Sequence, residues 1–173
     1  MNNRLPNRKQ ALELLQKNNC PPEVIEHSKA VADVAVEIAQ KLQEKGCKID
    51  LQLVESGALL HDLGRSKTHK VDHGLVGSQI ALSEGLPESL TGIIRTHVGG
   101  GITDQEAEWL GWPKNRYMPE SLEEKVVCYA DKLIDRGKCV PIDLEIARLS
   151  VEHKEAAERV RKLHLDITHL LGN

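Results

Sequence analysis

Phenylalanine is missing from this chain, and two tryptophans and two tyrosines are its only aromatic residues. A core without large rings must be filled by Leu, Ile, Val and Ala, a set that suits packed helices. Cysteine is sparse as well: Cys20, Cys47, Cys128 and Cys139 are scattered with no CxxC pair, the pattern of ordinary cytosolic thiols. No apolar run approaches the roughly 18 residues that a membrane span needs. Residues 1–10 are polar with no apolar stretch behind them, so no leader and no membrane partner are expected, and the expected localisation is cytoplasmic. Lys and Arg number 23 against 26 Asp and Glu, a formal net charge of -3 that lacks the broad basic field of most nucleic-acid binders. A small anionic substrate would have to be met by locally placed cations. Repeats, low-complexity tracts and strand-like alternation are lacking too. What remains is an all-α fold in one domain over residues 1–173, a length that buries roughly 70% of the unfolded surface.

The helices can be placed in order. Residues 6–19 form a first helix with Ala11, Leu12 and Leu15 on one side. Pro21 and Pro22 open a long helix to about Lys45, closed by Gly46, with the stripe Val24, His27, Val31, Val34, Ile38 and Leu42. Asp50 is a plausible N-cap for a helix carrying Val54, Gly57 and Ala58 that ends at His61 and Asp62. A polar loop over residues 65–72 leads to a helix over 73–84, in which His73, Val76, Gly77 and Ile80 share a face. Leu86 and Pro87 open the next, with Leu90, Ile93, Ile94 and His97 on one face, and Gly99, Gly100 and Gly101 stop it. Thr103 with Glu106 and Ser121 with Glu124 are capping boxes for two further helices; Asp131 lies inward on the second with Val127 and Ile134. Residues 143–171 are helical with a break near Ser150.

Five of these helices turn a histidine or aspartate inward: His27, His61 with Asp62, His73, His97 and Asp131. Any one alone is most simply a hydrogen-bonded core residue. All six together would each need a buried partner, whereas a shared metal centre satisfies them at once. The last turn of a helix carries unpaired carbonyls and partial negative charge, which favours a cation beside His61 and Asp62. Mixed imidazole and carboxylate ligation suits Mn, Fe, Co, Ni or Zn better than Ca.

The order His27, then His61-Asp62, then Asp131 resembles the HD-domain metal-dependent phosphohydrolase superfamily. The HDLG segment, His73-Gly74 with Gly77, Ile94 before His97, and Glu124-Lys125-Val126 leading to Tyr129-Ala130-Asp131 resemble its HDIG subgroup. The phrase from Gly100-Gly101-Ile102-Thr103 to Met118-Pro119 is similar to a largely uncharacterised, mainly archaeal group within it. The resemblance covers residues 23–136 and leaves the helices at 6–19 and 143–171 to pack on that core. It implies a compact helical bundle with its metal site in the core. His27, His61, Asp62 and Asp131 would bind one divalent ion, and His73 and His97 a second, with Asp62 bridging and positioning the nucleophilic water. Mn or Fe is favoured, and the implied substrate is a phosphate ester such as a nucleotide or dinucleoside polyphosphate. Many HDIG members carry Lys after the motif glycine; Arg65 here keeps the charge but does not readily serve as an acid or base.

Arg65, Lys132 and Arg136 lie close in sequence to the expected ligands, as contacts for substrate phosphate or as solvated surface cations. Residues 99–117 form either a lid over the site or an irregular loop anchored by packed Trp109 and Trp112, and packing is the expectation. His69 is a spare ligand position, while His153, His164 and His169 are expected on helix faces or ends. The rival from another class is a non-catalytic metal-binding signalling or interaction module, which the complete ligand set argues against. A homodimer is allowed for, but nothing in the sequence specifies one.

Overall fold

The structure is a computed structural model and describes residues 4–172. Asn7 opens α1 (Arg8–Lys17) with a capping box: its side chain accepts from the Gln10 amide, and the Gln10 side chain accepts from the Asn7 amide. Pro22 starts α2 (Pro22–Glu44), where its missing N–H is one that a helix start leaves unpaired in any case. Asp50 caps α3 (Leu51–Leu60), accepting from the Leu53 amide at 3.0 Å. A 3-10 turn at Leu63–Ser66 begins what the sequence suggested was loop, and α4 (His73–Ser83) and α5 (Glu88–Thr96) follow. Both remaining capping boxes form as expected, opening α6 (Asp104–Trp109) and α7 (Leu122–Lys132). The chain closes with α8 (Ile142–Glu152) and α9 (Lys154–Leu171), and the break expected near Ser150 falls at His153, with φ -144° and ψ 75°.

The fold is all-α. The one sheet among the described residues is a hairpin of β1 (Ile134–Asp135) and β2 (Lys138–Cys139), paired antiparallel. No strand was expected there, because two-residue strands leave no alternation to detect.

The bundle is built around α3, which packs against α1, α2, α5 and α7. Val54, Ala58, Leu59 and Leu60 are fully buried, as befits a helix apolar on nearly every side. Each such leucine contributes about 1.5–3 kcal/mol relative to exposure. Gly57 brings α5 close: a Cβ there would stand 2.6 Å from Ile93 Cδ1. The end of α3, carrying His61 and Asp62, is thereby delivered to the middle of the molecule.

A smaller apolar cluster of Val98, Ile102, Ala107 and Tyr117, with Leu75 and Trp112 against it, lies under the segment between α5 and α7. Trp112 packs on Tyr117 with ring centroids 5.0 Å apart, so its expected packing role holds. Trp109 is a correction: it is 76% exposed. In a helix as short as α6, Ala107 takes the one inward position and the tryptophan two residues on is turned to solvent.

Candidate metal centre

Three of the histidines are set by one local device. His61 at the end of α3, His97 at the end of α5 and His73 at the start of α4 each direct Nδ1 to the carbonyl three residues earlier, Ala58, Ile94 and Lys70, at 2.7 Å in every case. A carbonyl only accepts, so Nδ1 carries the proton and the lone pair of each neutral imidazole is on Nε2. His27 from α2 and Asp131 from α7 complete the group, and Asp62 follows His61 directly.

The Nε2 atoms and the carboxylates converge. His27 Nε2 is 2.9 Å and His61 Nε2 3.4 Å from Asp131 Oδ1. His73 Nε2 is 3.3 Å and His97 Nε2 3.4 Å from Asp62 Oδ1, and the two nitrogens are 3.1 Å apart. His61 Nε2 is 3.6 Å from the other carboxylate oxygen, Asp62 Oδ2. The structure therefore brings together all six residues singled out in the sequence.

This donor set fits a divalent cation. Ligand atoms about 2.1 Å from one ion stand about 3.0 Å apart at right angles and about 3.4 Å apart at the tetrahedral angle, the spacings found here. Two Nε2 lone pairs 3.1 Å apart, on His73 and His97, repel unless a positive charge lies beside them. His61 Nε2 and Asp62 Oδ1 are buried with no hydrogen-bond partner, an expensive arrangement for protein alone. The tautomers fixed through Nδ1 are those a metal-bound histidine needs.

The surroundings keep the carboxylates ionised. Burial opposes a charge on Asp62, but the imidazoles of His61, His73 and His97 that surround it outweigh that cost and hold its carboxyl well below the usual range. For Asp131, burial is outweighed by Lys132 and by His27 and His61. Burial pushes His97 down to about 4 against the pull of Asp62, so its ring is neutral and able to ligate. Cys128 is no ligand: burial pushes its thiol up to about 12, and its sulfur donates to the His97 carbonyl at 3.3 Å.

The three cations near the centre differ in placement. Arg65 Nε donates to Asp62 Oδ2 at 3.1 Å. Lys132 Nζ is 2.5 Å from Asp131 Oδ2, and against the cost of burial that carboxylate raises its pKa to about 12. Each thus steadies a carboxylate. Arg136 is exposed at the hairpin tip. All three line a cavity of about 560 Å³ that opens from His27, Asp62 and Asp131.

The outer wall of that cavity is Ile134, Asp135, Val140, Leu144, Glu145 and Arg148, from the hairpin and α8. This wall is not among the site residues expected from the sequence. The available signal was the pair Leu144 and Arg148, four residues apart on the side of α8 away from buried Ile142, Ile146 and Leu149. None of residues 99–117 lines the cavity. His69 and His153 are exposed and stand apart, His164 pairs with the Tyr129 hydroxyl at 2.8 Å, and His169 lies in the last turn of α9.

Fold and site together define a class of protein: an all-α domain with an HD-type cluster of histidine and aspartate at its centre. The chain belongs to the HD-domain family, whose model matches residues 24–134. It is 44% identical over 165 residues to an uncharacterised protein of Methanocaldococcus jannaschii, covering 93% of this chain and 96% of that one. It is 35% identical over 171 residues to a tRNA (cytidine(56)-2'-O)-methyltransferase of Picrophilus torridus, covering 97% of this chain but 48% of that protein, so the chain spans about half the length of this relative. The HD domain of the L. monocytogenes phosphodiesterase PgpH, solved in complex with cyclic-di-AMP, shares the fold with a TM-score of 0.57 at 18% identity, covering 94% of this chain and 95% of that one. Among the described residues no helix is long and apolar enough to cross a membrane.

Proposed function

We propose that this protein is a metal-dependent phosphohydrolase acting on a phosphate ester, with a nucleotide or dinucleoside polyphosphate as the substrate class. The observation that carries this is the division of Asp62: Oδ1 faces His73 and His97, while Oδ2 faces His61, which shares Asp131 Oδ1 with His27. One carboxylate between two sets of imidazoles is a design for two adjacent divalent ions, with His27, His61, Asp62 and Asp131 as ligands of one and His73, His97 and Asp62 of the other. Such ions, when bound, supply an activated water and neutralise charge on the phosphoryl group. Mn or Fe is favoured, with Co, Ni or Zn as alternatives.

The protein's own contribution is positioning. The Nδ1 hydrogen bonds lock three rings, Arg65 holds Asp62, and Lys132 holds Asp131. A guanidinium paired with Asp62 has further N–H groups for a phosphate oxygen at the cavity. The fold shared with a phosphodiesterase domain that binds cyclic-di-AMP supports a nucleotide substrate.

A second reading places the phosphate ester on RNA. It is favoured by the tRNA methyltransferase relatives from Picrophilus torridus and Thermoplasma volcanium, each of which matches this chain over about half its own length.

The deciding experiment is hydrolysis by the Mn- or Fe-loaded protein of a panel containing p-nitrophenyl phosphate, nucleotides, diadenosine tetraphosphate, cyclic dinucleotides and RNA with terminal phosphates. The expected result is turnover that His61→Ala and Asp62→Ala abolish along with bound metal. A protein that binds metal fully and hydrolyses nothing in the panel is the non-catalytic signalling module instead.

A further inference from the structure

The hairpin at the cavity mouth carries a residue that its turn does not explain. Asp135 pairs with Lys138, leaving Arg136 and Gly137 as a two-residue loop with φ of 48° and 75°. Positive φ at both positions is the type I′ turn, which Asn-Gly fills most readily. An arginine in the first of them takes its Cβ into a conformation that L residues rarely adopt. The turn requires the conformation but not the arginine, and a residue held at a strained position that another would fill more readily points toward function.

Ion pairing does not explain it either. The other cations lining the cavity are committed: Arg65 to Asp62, Lys132 to Asp131 and Arg148 to Glu145. Arg136 lines the same cavity and forms no ion pair among the described residues. It also sits at a different depth. The side chains of Asp62, Lys132 and Asp131 are 7%, 10% and 14% exposed and form the floor, whereas Arg136 is exposed at the rim. Beside it Leu144, 61% exposed, offers an apolar surface to whatever occupies the mouth. Arg136 and Leu144 both lie beyond residue 134, where the match to the family model ends.

We propose that Arg136 anchors a second phosphoryl group of the substrate at the rim, beyond the one attacked at the floor. This rests on the phosphohydrolase reading above and narrows it to nucleoside compounds with at least two phosphoryl groups. The guanidinium meets that group through paired charge-assisted hydrogen bonds, while Val140 and Leu144 shield the less polar end of the molecule.

The test compares Mn-loaded wild type and Arg136→Asn in equilibrium binding of AMP and of α,β-methylene-ADP, whose two phosphoryl groups are joined through carbon. Wild type is expected to bind α,β-methylene-ADP more tightly than AMP. Arg136→Asn should weaken α,β-methylene-ADP about tenfold and AMP by less than about threefold, a factor of ten being about 1.4 kcal/mol. Its Tm should stay or rise, because Asn-Gly suits the turn. Equal weakening of both ligands, weakening of neither, no wild-type preference, or a lower Tm overturns the proposal. Hydrolysis of p-nitrophenyl phosphate, measured on the same samples, separates the two ideas. Wild type that binds through Arg136 but hydrolyses nothing removes the phosphohydrolase reading alone. Turnover with unselective binding removes the anchor alone.

Discussion

Gly64 and His73 touch backbone to backbone: a Cβ built on Gly64 would stand 1.9 Å from the His73 carbonyl oxygen and 2.6 Å from the Gly77 amide nitrogen. The glycine closing the His61-Asp62 motif is therefore required by close approach. That approach is what carries His73, at the start of α4, to within 3.3 Å of Asp62.

Gly64→Ala should force α4 away from the motif. The expected cost is about 1–3 kcal/mol from overpacking, measured by urea unfolding, together with lower metal content. Unchanged stability and full metal occupancy would show that α4 is free to shift.

Removing ligands singly should separate the two halves of the site. His73→Ala is expected to lower the metal-to-protein ratio from two toward one, and His27→Ala to lose the other ion, both read by elemental analysis of anaerobically purified protein. The same ratio in wild type and His73→Ala would reduce His73 to a residue beside a single ion.

Metal should stabilise the fold as well as equip it. The unpartnered Nε2 of His61 and Oδ1 of Asp62 gain a partner on binding, and free metal at 100 times Kd adds about 2.7 kcal/mol by mass action. A chelator should therefore lower Tm by several degrees in wild type and leave Asp62→Ala unmoved. Identical melting with and without chelator in wild type would argue against a metal in this core.

Glu124 should make stability pH-dependent. Its buried carboxylate accepts from both terminal nitrogens of Arg116 at 2.8 Å and from the amides of Glu120 and Ser121. Against the cost of burial these bonds hold its pKa below the ordinary 4.5. The unfolded chain thus takes up this proton first as pH falls, so the stabilisation is full above 4.5 and is lost as pH drops through the lower folded value. Glu124→Gln should cost about 1.5–3 kcal/mol near neutrality, with the gap to wild type closing in acid. A constant gap across that range would mean that Glu124 ionisation does not contribute.

Trp109 and Tyr117 should behave differently. Trp109→Ser is expected to change stability by less than about 0.5 kcal/mol. Replacing buried Tyr117, whose hydroxyl donates to the Pro113 carbonyl and whose ring meets Trp112, with Ala should cost about 3–5 kcal/mol. Equal effects in chemical denaturation would contradict the packing described.

The sequence by itself determined where the helices begin and which polar residues they turn inward. Capping at Asp50, Thr103 and Ser121 is a contact across three residues, and the inward placement of His27 and Asp131 follows from a period of 3.6, so both are written locally. The motif also pointed to metal, because six polar groups in one small core have few other ways to be satisfied. Only the tertiary structure decided how they are shared: that Asp62 divides its two oxygens between histidines from different helices, that Lys132 is committed to Asp131, and that Trp109 faces out. It alone also brought α8 and the hairpin to the mouth of the site. Those outcomes depend on the packing of segments far apart in the chain, on distances set by glycines such as Gly57 and Gly64 whose neighbours no local pattern names.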